Sequence, residues 1–182
     1  MYFLREYLNK FSSGLSKLNE EDFLTAIKLL ENTKKANAKV IIIGNGGSAA
    51  IASHVSVDLT KACGIRSINF NEADLITCFA NDYGYENWVV EALKAYADVD
   101  DLIILISSSG TSKNIVNAAK FCSLKGLKLI TLSGFEEMNP LSQHGDLSIW
   151  IDSGYYNFIE MTHHLWLVAL VDKIAIGDEM YS

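Results

Sequence analysis

The residues best equipped for chemistry crowd into one turn, Ser107-Ser108-Ser109-Gly110-Thr111-Ser112, with five hydroxyls in six positions. The apolar run Leu102 to Ile106 precedes it, too short for a helix and suited to a strand buried on both faces. Ile115, Ala118, Ala119 and Cys122 follow at helical spacing. A strand, a glycine turn and a helix N-terminus leave backbone N–H groups pointing outward, where the helix dipole favours negative charge. Capping that helix would use one hydroxyl. The surplus points to a bound phosphate group. A second candidate is Gly44-Asn45-Gly46-Gly47-Ser48, where glycines admit a small polar ligand and Asn45 and Ser48 offer hydrogen bonds. A third is Glu160 with His163 and His164, whose i+3 and i+4 spacing lets a carboxylate and an imidazole share one helix face. The alternative there is a surface ion pair.

Strands alternating with helices position these groups. Residues 2 to about 35 read as two helices broken near Ser12-Ser13-Gly14, with Phe23, Ala26, Ile27 and Leu30 on one face of the second. Lys39 to Ile43 is the first buried strand, and a helix from about Ser48 to Cys63 follows its glycine turn. A second strand spans about Arg66 to Phe70, and a short helix Asp74 to Phe79. The polar segment Asn81, Asp82 and Glu86 comes next, suited to a sugar pocket or a capped loop, before a helix from about Glu86 to Tyr96. After the central strand and its helix, Leu127 to Leu132 and Leu147 to Ile151 complete five strands, with a short helix expected near Pro140. The last helix, about Tyr156 to Ile176, is apolar almost all round, which calls for burial on more than one side and suggests a subunit interface. The pattern predicts an α/β three-layer α-β-α sandwich around a five-stranded parallel sheet. Its ligand belongs at the strands' carboxyl ends.

Composition narrows the function further. A chain of 182 residues with 49% hydrophobic and 20% charged residues suits one domain, residues 1–36 being N-terminal helices and 37–182 the α/β core. A net charge of −7 disfavours nucleic acid, so an anion site must work through amides and hydroxyls. Cys63, Cys78 and Cys122 lack metal or redox spacing, sit in apolar contexts and read as reduced core thiols. The first ten residues lack a signal-peptide core and no stretch approaches a membrane span, so a cytoplasmic location is expected. Gly44, Gly46 and Ala49 also fit a dinucleotide fingerprint, but the next strand ends in Asn69, Phe70 and Asn71, with Glu72 late for the carboxylate that binds ribose.

Together GNGGSAA at 44–50, ANDYGYE at 80–86, ISSSGTSKN at 106–114 and the terminal helix resemble the sugar isomerase (SIS) domain, and most closely the phosphoheptose isomerases. The resemblance spans essentially the whole chain and implies a flavodoxin-like SIS fold. It implies that Ser107, Ser108, Ser109 and Ser112 hold a sugar phosphate, while Asn45, Gly46, Ser48 and Asp82 line the sugar site. It also implies a homotetramer, or failing that a dimer, with sites shared between subunits. His54 and Asp58 match the family's histidine and glutamate four apart, with the acid one methylene shorter. In the last helix Ile159, Glu160 and Leu167 stand where the family has glutamine, glutamate and histidine. Four of those family groups, the two histidines, the first glutamate and the glutamine, can bind zinc. Here only His54 and Asp58 remain, and two side chains do not complete a tetrahedral site, so no metal or other cofactor is expected.

Aldose–ketose isomerisation moves a proton between adjacent carbons through an enediol, and needs a base plus a group that stabilises charge on oxygen. The candidates are Asp58 or Glu160 as base and His163 or His164 as acid. A regulatory phosphosugar-binding protein that acts through a protein partner is the rival reading, and a nicotinamide dehydrogenase the third. Turnover of a sugar phosphate would select the first. Stabilisation by a phosphosugar without turnover would select the second, and stabilisation by NAD the third.

Overall fold

The computed structural model describes residues 2–15 and 18–177. Two helices, α1 (Phe3–Leu15) and α2 (Glu20–Lys35), precede β1 (Val40–Gly44), α3 (Gly47–Lys61) and β2 (Ser67–Ile68). Next come α4 (Ala73–Tyr83), α5 (Trp88–Tyr96), β3 (Leu102–Ile106) and α6 (Lys113–Lys125). The chain continues through β4 (Lys128–Gly134), β5 (Leu147–Ile151) and α7 (Tyr156–Ile176). All five strands are parallel, in the order β2-β1-β3-β4-β5. That is the flavodoxin-like order, with its switch point between β1 and β3.

The sheet is covered on both faces, which explains its unbroken apolar runs. Val40, Ile42, Leu102, Ile104 and Ile130 pack with α2, α3 and α7, while Ile41, Ile43, Ile103, Leu105 and Leu129 pack with α5 and α6. The alternation follows the two-residue period of a strand. At the amino-terminal edge, buried Asp101 accepts from the Lys39 N–H at 2.9 Å and the Asp98 N–H at 2.8 Å, and pairs with Lys39 Nζ at 2.6 Å.

Five local expectations are corrected. Cys78 is exposed, because its helix α4 buries no residue, whereas Cys63 and Cys122 are core thiols. The N-terminal break follows Leu15, because the restart signal is Asn19, whose Oδ1 accepts from the Glu21 N–H at 2.8 Å. The second strand shortens to two residues, since Asn69 Oδ1 accepts from the Asn71 N–H at 3.0 Å and turns the chain. Helix α4 runs on through Asn81 and Asp82 until Gly84 (φ 83°) ends it. Around Pro140 there are turns instead of a helix. There the Asn139 side chain donates to Ser133 Oγ and the Glu136 carbonyl and accepts from the Ser142 N–H, displacing a helical ladder.

Helix α7 buries Ile159, Thr162, His163, Trp166, Leu167, Leu170 and Val171, while Met161 and Leu165 stay exposed. Helix α1 buries no residue and meets α7 through Tyr7 and Phe158, ring centroids 4.6 Å apart. Among the described residues, no helix is long and apolar enough to cross a membrane.

Candidate functional site

Two loops at the carboxyl ends of β1 and β3 meet at the switch point. The first is shaped by its glycines. A β-carbon on Gly44 would strike Ser48, Gly46 has φ 55°, and a β-carbon on Gly47 would strike the Glu160 carboxylate. The missing side chain of Gly47 is what lets Glu160 of α7 lie against the first residue of α3.

The second loop is laced to its neighbours through the main chain. Ser107 N–H donates to the Leu132 carbonyl, Gly110 N–H to that of Ser107, Gly134 N–H to that of Ser108 and Leu141 N–H to that of Gly110. Gly110 has φ 66° and lies where a β-carbon would strike Asn139. The serines are not spent on capping. Ser112 holds the N-cap position of α6 without a side-chain cap bond, and its Oγ accepts from Ser107 Oγ at 3.1 Å. Ser109 Oγ pairs with Thr111 Oγ1 at 2.9 Å, and the buried Ser108 Oγ has no protein partner.

Between the loops is a cavity of about 140 Å³ lined by Asn45, Ser48, Ile106, Ser107, Ser108, Ser109, Ser112, Tyr156 and Glu160. The four serines, Asn45 and Ser48 therefore come together as expected, with Gly46 beside them at the α3 N-cap. Among the described residues, no lysine or arginine lines it. Asn45 is fixed by two residues that sequence reasoning missed. It exchanges amide hydrogen bonds with the buried Asn114, at 3.0 and 2.9 Å, and its Oδ1 also accepts from Tyr85 OH at 3.0 Å. Asn114 ends the ISSSGTSKN motif, and a buried amide needs a partner. That requirement was the available signal.

The sugar-contact candidate Asp82 and the remaining acid–base candidates take different places. Asp82 is exposed on α4, accepts from Asn81 Nδ2 at 2.9 Å, and does not line the cavity. His163 points away from it, and its Nε2 donates to the Ser133 carbonyl at 3.1 Å. Its Nδ1 is buried without a partner, and burial pushes its pKa down to about 4, against a smaller upward pull from that carbonyl. An imidazole held neutral and tied to a carbonyl is not the proton donor expected of His163. His164 instead faces α3, with Nε2 2.7 Å from His54 Nδ1, and His54 Nε2 is 3.0 Å from Asp58 Oδ2. Burial, then the neighbouring His54, lowers the His164 pKa, and Asp58 opposes them. Glu160 and His164 thus share the α7 face that looks at α3, as their spacing requires. No ion pair joins Glu160 to either histidine among the described residues. Asp58 lies eleven residues beyond Gly47, about 16 Å along the helix, so Glu160 is the one candidate base at the cavity.

The family model of the SIS domain matches residues 5–134. The chain belongs to the SIS-domain family. Among relatives of this SIS protein, the phosphoheptose isomerase of Helicobacter pylori (strain P12) is 32% identical over 178 residues, covering 93% of this chain and 89% of that one. The Serratia proteamaculans (strain 568) phosphoheptose isomerase is 32% identical over 185 residues, covering 93% and 95%. In fold, phosphoheptose isomerase GmhA from Neisseria gonorrhoeae superposes with a TM-score of 0.86 at 22% identity, covering 94% of this chain and 97% of that one. A Francisella tularensis phosphoheptose isomerase gives 0.83 at 23% identity, covering 96% and 99%.

Within this SIS domain the donors for zinc do not converge. Asp58 and His164 sit on different nitrogens of the His54 ring, which joins them in a row and leaves no point within reach of all three. Among the described residues, no group of three or more histidine, cysteine, aspartate or glutamate side chains could hold a metal ion. The dinucleotide fingerprint also loses its partner. Asn71, just beyond β2, donates to the Ala49 carbonyl and Ser53 Oγ, both at 2.7 Å, so an amide serving α3 occupies the region where a ribose-binding carboxylate belongs.

Proposed function

We propose that this SIS protein is an aldose–ketose isomerase of a sugar phosphate, with sedoheptulose 7-phosphate the first substrate to try. The observation that carries the reading is the placement of one carboxylate, Glu160, in the same cavity as four loop serines, Asn45 and Ser48. The serine loop and its main-chain N–H groups hold the phosphate without a cation. Glu160 removes the proton from the carbon next to the carbonyl, and Asn45 and Ser48 meet the charge that develops on oxygen. The protonated carboxyl then returns that proton to the neighbouring carbon, converting ketose to aldose. With His163 tied to the Ser133 carbonyl, His164, on the α7 face it shares with Glu160 and linked to His54 and Asp58, is the remaining candidate for the hydroxyl protons. No step is assigned to zinc, because the donors present do not assemble around one point.

Proton transfer through Glu160 makes a direct test. In D2O, proton NMR of the substrate with wild-type protein should show both isomerisation and deuterium entering at the first two carbons. Glu160→Gln should lose both while keeping thermal stabilisation by the same sugar phosphate. Wild-type turnover in Glu160→Gln overturns the assignment. Stabilisation of wild type by every phosphosugar tried with turnover of none selects the regulatory reading.

We also propose a homotetramer. Phe3, Leu4 and Leu8 on α1 and Met161 and Leu165 on α7 are exposed apolar side chains that a second copy would cover. Light scattering on the eluting protein should give four times the chain mass, and a monomer would overturn the proposal.

A further inference from the structure

The network around Asn45 determines what that residue can offer a ligand. Asn45 Nδ2 donates to Asn114 Oδ1 and Asn114 Nδ2 donates back to Asn45 Oδ1, a closed ring of two amides. Tyr85 OH takes the second lone pair of Asn45 Oδ1. A carboxamide has two N–H donors and two oxygen lone pairs. In Asn45 both lone pairs and one donor are therefore filled by protein, and one N–H remains. Asn45 lines the cavity, whereas Asn114 and Tyr85 do not. Tyr85 also sets the sense of the pair. A phenol donates more readily than it accepts, so its hydroxyl selects the arrangement that turns Asn45 Oδ1 toward it.

From this we infer that Tyr85 is a positioning residue: with Asn114 it locks the Asn45 amide as a donor-only group aimed at a substrate oxygen. The inference rests on the isomerase reading and deepens it by assigning the group that meets the oxygen on which charge develops. Without the Tyr85 hydroxyl, the amide pair can turn over together and present a carbonyl oxygen instead. A carbonyl oxygen repels an oxyanion. The serine cradle does not depend on Tyr85, since its bonds run to β4 and to the β4–β5 connection.

The test is Tyr85→Phe, which keeps the ring beside Trp88 (centroids 6.5 Å apart) and removes only the hydroxyl. Three quantities are read in wild type and variant: kcat and KM for sedoheptulose 7-phosphate, affinity for 5-phospho-arabinonohydroxamate as a mimic of the enediolate, and affinity for inorganic phosphate. The expected result is a kcat and a hydroxamate affinity each lower by about tenfold, the worth of one hydrogen bond to a charged group, with KM and phosphate affinity unchanged. Unchanged kcat and hydroxamate affinity would overturn the inference. So would an equal loss of phosphate affinity, which would mean that Tyr85 merely supports the loops. If wild type turns over no sugar phosphate, the isomerase reading fails by itself, and the hydroxamate-to-phosphate comparison still decides the role of Tyr85.

Discussion

The carboxylate of Glu160 on α7 occupies the space above Gly47 where a side chain would begin. The two residues are 113 positions apart in the chain, yet one depends on the other having no β-carbon. Gly47→Ala should therefore push Glu160 aside. Its backbone is ordinary helix, so the folding cost is small and partly offset by the better helix propensity of alanine. The expected outcome is a kcat lower by at least about tenfold, since a displacement near 1 Å suffices for such losses, with little change in Tm. Steady-state kinetics and a thermal melt on the same preparation check it.

Ser108 separates binding from stability. Its buried Oγ has no protein partner, so the folded chain loses no internal hydrogen bond in Ser108→Ala. Stability should hold within about 0.5 kcal/mol or improve, because a buried unsatisfied hydroxyl is itself a cost. Affinity for inorganic phosphate, measured calorimetrically, should fall several-fold. Asn139→Ala should behave in the opposite way, losing on the order of 2 kcal/mol or more of stability along with three side-chain hydrogen bonds.

His163 predicts a pH dependence of folding. Burial depresses its native pKa to about 4 from the ordinary 6.5, so between those values the unfolded chain binds more protons than the folded one. Its contribution is fully present above pH 6.5 and is lost as pH falls toward 4, on the order of 3 kcal/mol in all. Urea unfolding at a series of pH values should show wild-type stability falling across that window. His163→Gln, which keeps a donor for the Ser133 carbonyl, should flatten the slope.

Asp101 offers a control remote from chemistry. It is wholly buried, accepts two backbone hydrogen bonds and faces the Lys39 ammonium. Asp101→Ala leaves those donors unpaired at the amino-terminal edge of the sheet, opposite the cavity, and should cost about 3–5 kcal/mol. Chemical denaturation measures the loss. At a temperature where the variant is folded, its kcat should equal that of wild type.

The strands and the gathering of the serine turn at a cavity were legible because burial on both faces writes itself as unbroken apolar runs, and because hydroxyls beyond the need of one cap demand another use. Leu102–Ile106, Leu147–Ile151 and Tyr156–Ile176 have the same limits in sequence and structure. What failed was decided by side-chain hydrogen bonds and packing that residue spacing does not encode. Asn139 replaced a helix near Pro140 with turns because its amide serves Ser133 and Glu136, and nothing local announces that. Of the two histidines, His163 failed as an acid for a related reason. Their spacing from Glu160 fixes which helix face they share, but only packing shows that His163 meets β4 while His164 meets His54. Gly47, Tyr85 and Asn114 stayed hidden because each acts on a residue that is itself visible.

The lacing of the serine turn to β4 and to the chain before β5 has a consequence for how ligands are told apart. Main-chain bonds already hold the turn in shape, so under the proposed function a phosphate arriving there would have no segment to organise, and every phosphorylated metabolite would receive much the same welcome. Discrimination would then be handed to the wall formed by Glu160, Tyr156 and the tethered amide of Asn45. Alterations on that wall would redirect the protein to another sugar without touching the anchor.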